Sequence, residues 1–105
     1  MIIISSCEKF KRISTPQNVV ASVSGNQLTL TWDKVKYAEQ YHIFKKMEGY
    51  LSTNGEFVEM MDSPTTEVYY EMLSTSGVTT YTYQVVAENK REVKSEPGTS
   101  NSVTH

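Results

Sequence analysis

The sequence predicts an all-β domain, a sandwich of two antiparallel sheets built from about seven short strands. Three stretches carry most of that prediction. Leu28-Thr29-Leu30-Thr31-Trp32-Asp33, Gln40-Tyr41-His42-Ile43-Phe44 and Tyr81-Thr82-Tyr83-Gln84-Val85-Val86-Ala87 each alternate apolar or aromatic side chains with polar or smaller ones. A period of two sends successive side chains to opposite faces, so one face of each strand is buried. Trp32, Tyr41 and Tyr81 fall one per strand and are placed to meet in a single core. No window sustains the spacing of three and four that a helix needs, and β-branched residues occur throughout.

The elements follow in order. Pro16 lacks an N–H to give to a ladder and suits the start of an edge strand. Val19, Ala21 and Val23 alternate as a first strand, and Ser24-Gly25-Asn26 turns the chain because glycine and asparagine tolerate positive φ. Leu28, Leu30 and Trp32 share one face of the second strand. After a connection over 33–39, Tyr41 and Ile43 point inward on the third, while His42 and Phe44 point away. Residues 47–56 read as a long loop and 57–61 as extended chain, broken by Ser63-Pro64. The strand over 66–72 has two phases open: Val68, Tyr70 and Met72 inward, or Tyr69 inward. The count of large residues favours the first. Ser74 to Gly77 is a turn. Tyr81, Tyr83, Val85 and Ala87 form the longest alternation, followed by a charged loop over 88–94. Past Pro97-Gly98, a last weak strand over 99–104 turns Val103 inward.

The chain has 105 residues, which is one domain's worth. An apolar fraction of 38% suits a thin core under a wet surface, and seven tyrosines against one tryptophan and three phenylalanines is a β-rich balance. Net charge is −2, too near neutral for the electrostatic footprint of a nucleic-acid binder. The lysines at 34, 36, 45 and 46 read as a solvated strand end, where charge also discourages edge pairing. The single cysteine, Cys7, excludes an intrachain disulfide. No stretch approaches the roughly 20 apolar residues of a membrane helix.

Four pieces in order resemble one family. Pro16-x-x-Val19-x-Ala21 with Leu28-x-Leu30-x-Trp32-Asp33 is similar to the opening of a fibronectin type III domain. Ala38-x-x-Tyr41-x-Ile43 is similar to that family's third strand. Tyr81-x-Tyr83-x-Val85-x-Ala87-x-Asn89, followed by Ser95-Glu96-Pro97, is similar to its sixth strand and the entry to its last. The resemblance covers 16–105 and leaves 1–15 as an N-terminal extension. It implies a seven-stranded immunoglobulin-like sandwich with Trp32, Tyr41, Ile43, Tyr81 and Val85 in the core. It also implies that Tyr81 is the corner tyrosine whose hydroxyl ties down the preceding turn. Thr75 stands where the family has a leucine, so Leu73 or Val78 has to fill that space. No Arg-Gly-Asp triplet occurs, so the integrin-binding role of some members does not carry over.

Sites for chemistry are sparse. His42 has no converging ligands for a metal and reads as an exposed strand histidine. Glu56, Glu59, Glu67 and Glu71 read as solvated charges rather than a catalytic pair in a cleft. There is no nucleophile elbow and no phosphate loop. The expectation is a domain with no catalytic residue, no metal and no cofactor. Tyr37, Tyr50 and Leu51 lie in loops, where binding residues tend to sit, and are the candidate contact residues. At the N-terminus, Ile4-Ser5-Ser6-Cys7 resembles a bacterial lipobox, which would make Cys7 a lipid attachment point. The apolar run before it is shorter than a working signal core, so a plain tail with a free thiol stays open beside it.

The expected function is therefore a non-catalytic interaction or spacer module, presenting loops to a protein partner or neighbouring domain at a bacterial cell envelope or outside the cell. A carbohydrate-binding accessory role, with a glycan as partner, is the alternative, and an enzyme with an unrecognised site a third. Nucleic acid is not expected as a partner, and a membrane only through a lipid on Cys7.

Overall fold

The computed structural model describes residues 13–105. The expected lipid attachment at Cys7 and most of the 1–15 extension lie outside the described residues. Eight strand segments form: β1 (Val20–Ser24), β2 (Gln27–Thr31), β3 (Ala38–Gly49), β4 (Val58–Glu59), β5 (Val68–Met72), β6 (Thr79–Asn89), β7 (Gly98–Thr99) and β8 (Val103–Thr104). They make an all-β sandwich. One sheet has the order β1-β2-β5. The other runs β4-β3-β6-β7, with β8 also pairing β6, and every pairing is antiparallel. The expected seventh strand is thus two short pieces on the same side of β6. Among the described residues no helix is long and apolar enough to cross a membrane.

The alternation read from the sequence is the alternation of burial. Leu28, Leu30 and Trp32 on the β2 side meet Tyr41 and Ile43 of β3 and Tyr81, Tyr83, Val85 and Ala87 of β6 in one core. Trp32 and Tyr41 pack edge to face with ring centroids 5.1 Å apart, a geometry the ring quadrupoles favour. Ile13, on the N-terminal side of the expected boundary, also packs against this core. Pro16 passes so close to β7 that a Cβ on Gly98 would sit 2.3 Å from the Pro16 carbonyl oxygen, which requires glycine there.

The structure corrects three expectations and decides between two alternatives for a fourth. On β5 the phase is the reverse of the favoured one. Tyr69 is buried, whereas Tyr70 and Met72 are 57% and 70% exposed. Register decides this: Tyr69 lies opposite Leu30, and Glu71 opposite Leu28, both on the inner face of β2. A count of large residues could not see that pairing. The space left by Thr75 is filled by Leu73, which is buried, while Val78 is exposed. β3 runs through Lys45 and Lys46 to Gly49, so the expected loop begins later, and within it Thr53 N–H donates to the Met47 carbonyl at 3.0 Å. β6 extends through Glu88 and Asn89, both buried, so the charged loop is a short turn closed by Asn89 N–H to the Val93 carbonyl at 3.0 Å.

Candidate functional site

β3 separates the two groups of candidate contact residues. Tyr37 precedes the strand and Tyr50 and Leu51 follow it. Twelve residues of strand rise roughly 40 Å, so the two tyrosines occupy opposite ends of the sandwich and cannot form one aromatic platform.

At the first end Tyr37 is 69% exposed. Its backbone is held at φ +73°, an outlier for a bulky residue. The Lys36 ammonium lies 5.2 Å from the Tyr37 ring centroid, within cation–π range. Ile13, Thr15, Lys94 and Glu96 line a groove of about 630 Å³ with these two residues. At the other end Tyr50 is 67% exposed and Leu51 is half-buried. The Tyr50 side chain packs against Gly77, where any Cβ would fall 2.3 Å from its ring. The neighbouring backbone is fixed by Tyr50 N–H to the Val78 carbonyl at 2.9 Å, and Leu51 N–H donates to Thr79 Oγ1 at 3.0 Å. The exposed Val78 completes an apolar spot beside Tyr50.

The carboxylates do not pair with one another. Glu67 accepts from the Tyr41 hydroxyl at 2.9 Å, and that hydroxyl in turn accepts from Val35 N–H at 3.1 Å. Burial, foremost, pushes the Tyr41 hydroxyl pKa up. The Tyr81 hydroxyl makes no hydrogen bond among the described residues, so the tie implied for it is absent. Tyr41 instead anchors the loop before its own strand, and the buried Tyr81 ring lies 5.8 Å from the Lys45 ammonium, within cation–π range. Glu56 is exposed.

Glu71 and Lys45 form a salt bridge that sequence reasoning missed. Both lie on inward phases of their strands, and Lys45 Nζ donates to Glu71 Oε2 at 2.8 Å across the space between the sheets. The two side chains are 15% and 13% exposed, so the expectation of solvated charges fails for both. The second oxygen, Oε1, accepts from the Tyr69 hydroxyl at 2.7 Å. The Tyr83 hydroxyl is buried nearby with no hydrogen-bond partner among the described residues. Burial, followed by the influence of Glu71, raises the pKa of both phenols well above the ordinary tyrosine value. The signal for this pair was the inward phase of Lys45 in the Tyr41–Ile43 alternation, joined to the register of β5.

His42 is also more enclosed than expected, with its side chain 13% exposed on the outer face of β3. Nδ1 lies 3.0 Å from Glu59 Oε2 on β4, and Nε2 contacts Glu88 on β6. Glu88 accepts a further bond from Gln40 Nε2 at 3.0 Å. The His42 bond, then the Gln40 bond, hold the Glu88 carboxyl below its usual range. The arrangement ties three neighbouring strands together. Among the described residues no group of three histidine, cysteine or acidic side chains is placed to hold a metal.

No protein-family model matches the chain. No curated protein matches it either. Solved structures do. The chain is similar to the crystal structure of FN3tt, with 23% identity and a TM-score of 0.69 over 88% of this chain and 92% of that one. Titin module A71 from human cardiac muscle gives a TM-score of 0.69 at 19% identity, covering 88% and 91%. An Fn3-like protein from Clostridium thermocellum gives 0.58 at 20% identity, covering 88% and 86%. These likenesses agree with the strand order, the antiparallel pairing and the Trp32–Tyr41–Tyr81 core: the chain has the fibronectin type III fold.

Proposed function

We propose that this domain is a non-catalytic spacer and interaction module of a bacterial surface or secreted protein. One observation carries the reading. Ile13 lies in the groove beside Tyr37, while His105 pairs with Thr79 beside the Tyr50 end, through reciprocal backbone bonds of 3.0 and 2.9 Å. The path from residue 13 to residue 105 therefore crosses the length of the sandwich, and segments joined at those points are held apart by it. Domains of this fold typically space or join other parts of a protein, which supports the same reading. The loops at the two ends, with Tyr37 at one and Tyr50 and Leu51 at the other, are the contact points for a protein partner or neighbouring domain. The bacterial setting rests on the likeness of Asn18-Val19-Val20-Ala21 and Tyr81-Thr82-Tyr83-Gln84-Val85 to bacterial members, and on the lipobox-like Ile4-Ser5-Ser6-Cys7.

The spacer reading is tested by energy transfer between dyes at Ser14 and His105 in the full chain. A separation of roughly 40 Å is expected, and ends lying side by side would refute it. Mass spectrometry of the native protein tests Cys7, where a diacyl adduct supports the envelope setting and an unmodified Met1 removes the lipid anchor. No observation favours the glycan reading, because Tyr37 and Tyr50 lie at opposite ends of β3. Amide shifts around Tyr37 or Tyr50 on glycan titration would reinstate it.

A further inference from the structure

A strand at the rim of a sheet presents unpaired N–H and C=O groups, and the two sheets cover theirs differently. On β1 the Asn101 carboxamide takes both groups of Ala21: Oδ1 accepts from the amide at 2.9 Å and Nδ2 donates to the carbonyl at 3.0 Å. On β3 the cover is a run of backbone. Thr53 N–H donates to the Met47 carbonyl at 3.0 Å, β4 pairs with Phe44 and Lys45, Met60 N–H donates to the Ile43 carbonyl at 2.7 Å, and Tyr41 N–H to the Pro64 carbonyl at 2.9 Å. The middle of this run is its weakest part, since β4 has only two residues and both are exposed. A side chain adds to its hold. The His42 ring, on the outer face of β3, reaches Glu59 of β4 on one side and Glu88 of β6 on the other.

An ionised carboxylate only accepts hydrogen bonds, and a neutral imidazole has one N–H. Nδ1 lies 3.0 Å from Glu59 Oε2, and Nε2 contacts Glu88 Oε1. Both contacts are hydrogen bonds only when the three groups hold one proton more than a neutral ring and two carboxylates carry. No other charge faces the ring. Val86 lies opposite His42 on β6. Along β3 the neighbours on the same face are Gln40 and Phe44, and the Lys46 ammonium beyond them lies 5.1 Å from the Phe57 ring centroid. Asp62, in the segment after β4, acts on Tyr69. Lys94 stands across from Glu88 and favours its charged form.

The two carboxylates are held unequally. Glu88 is buried on the eleven-residue β6 and accepts a second bond from Gln40 Nε2 at 3.0 Å. The Glu59 side chain is half exposed and makes no other hydrogen bond among the described residues. A neutral ring therefore keeps its one N–H on Glu88 and turns the Nδ1 lone pair towards the Glu59 carboxylate.

We propose that His42 is a proton-operated latch on β4. With a proton on each ring nitrogen it ties β4 to β6 across β3, and on losing one it releases Glu59. The latch is closed on the acid side of the ring's titration, while both carboxylates are ionised, and open on the alkaline side. Opening is confined to the span 57–60, because the Thr53–Met47 and Tyr41–Pro64 bonds on either side do not involve the ring. Met60 packs against the core and resists it, so the proton biases the opening rather than making it all-or-none. What opens is the edge of β3 at Phe44 and Lys45, whose availability to another strand is thereby set by pH.

Nitrogen-15 NMR on the full chain, from about pH 5 to about pH 9, tests this. Ring signals report the protons on His42, and His105→Gln removes the signals of the other histidine. Hydrogen exchange of the Met60 amide reports β4. Its ratio to the Thr53 amide, on the anchored side of the same cover, cancels the general effect of pH on exchange. That ratio should rise about two- to fivefold as the ring loses its proton, the worth of a half-exposed ion pair. Glu59→Gln supplies an amide that can either donate to Nδ1 or accept from it. The ring should still titrate in this variant, but the step in the ratio should vanish. Because Glu59 is half exposed, the fold should be retained, and circular dichroism checks that. A ratio that stays flat through the ring's titration overturns the proposal. So does an opening that grows on the acid side, or a step that survives in Glu59→Gln.

Discussion

Replacing Glu71 by alanine should destabilise the domain far more than its charged, polar character suggests. The change leaves Lys45 Nζ, on a side chain only 15% exposed, without its anion, and takes the acceptor from the Tyr69 hydroxyl. Breaking a buried pair by removing one partner costs about 3–5 kcal/mol. The slight exposure of both groups argues for the lower half, about 3 kcal/mol. The orphaned Tyr69 hydroxyl adds about 1 kcal/mol. A total near 4 kcal/mol is a large part of the roughly 5–15 kcal/mol that holds a domain folded. Urea titration read by the fluorescence of Trp32, the single tryptophan, measures it. The double variant Lys45→Met with Glu71→Leu removes both charges together. It should recover to within about 1 kcal/mol of the native chain, since apolar replacement of a buried pair is often neutral. A cost below about 1 kcal/mol for Glu71→Ala would mean the pair behaves as a surface one. Additive single and double variants would show that the two groups do not couple. Either result refutes the reasoning.

Three further outcomes are expected. Tyr83→Phe removes a buried hydroxyl that has no hydrogen-bond partner among the described residues, so equilibrium unfolding should show no loss and up to about 1 kcal/mol of gain. Trp32→Ala should cost about 3–5 kcal/mol, measured by circular dichroism since the fluorophore is gone; under 1 kcal/mol would contradict its place in the core. Glu88 has a carboxyl pKa depressed below the ordinary 4.5 by His42 and Gln40. Its contribution is complete above that ordinary value and is lost as pH falls through the lower, folded one. Stability of Glu88→Gln should therefore fall less on acidification than that of the native chain, and parallel acid limbs would exclude the linkage.

The core was legible because it depends on local alternation. Leu28 to Trp32 and Tyr81 to Ala87 announce their buried faces residue by residue, and the spacing of Pro16, Trp32 and Tyr81 adds the order. β5 was misread because its own pattern is ambiguous. Val68, Tyr69, Tyr70, Glu71 and Met72 offer apolar residues to both faces, and only the ladder to β2 selects one. The Lys45–Glu71 pair was hidden for the same reason, since two charges 26 residues apart become neighbours only through the packing of two sheets. Tyr37 and Tyr50 were correctly picked as loop residues, but their separation needed the length of β3. The loop assigned to begin at Met47 was too early because Lys45, Lys46 and Glu48 look solvated, whereas their backbone pairs with β6 throughout.

The Asn101 carboxamide that covers the middle of β1 also bears on how the protein ages. An asparagine followed by serine, as in Asn101-Ser102, is prone to deamidation, in which the next backbone nitrogen attacks the side-chain carbonyl carbon and ammonia leaves. Two hydrogen bonds to Ala21 hold that carboxamide away from the attacking geometry. The contact thus preserves the group that makes it. Once an opening lets the reaction occur, the new carboxylate can still accept from the Ala21 amide but no longer donates to its carbonyl, and that carbonyl on the β1 edge is left uncovered for good. Stored protein would carry this record as a one-dalton mass increase at position 101.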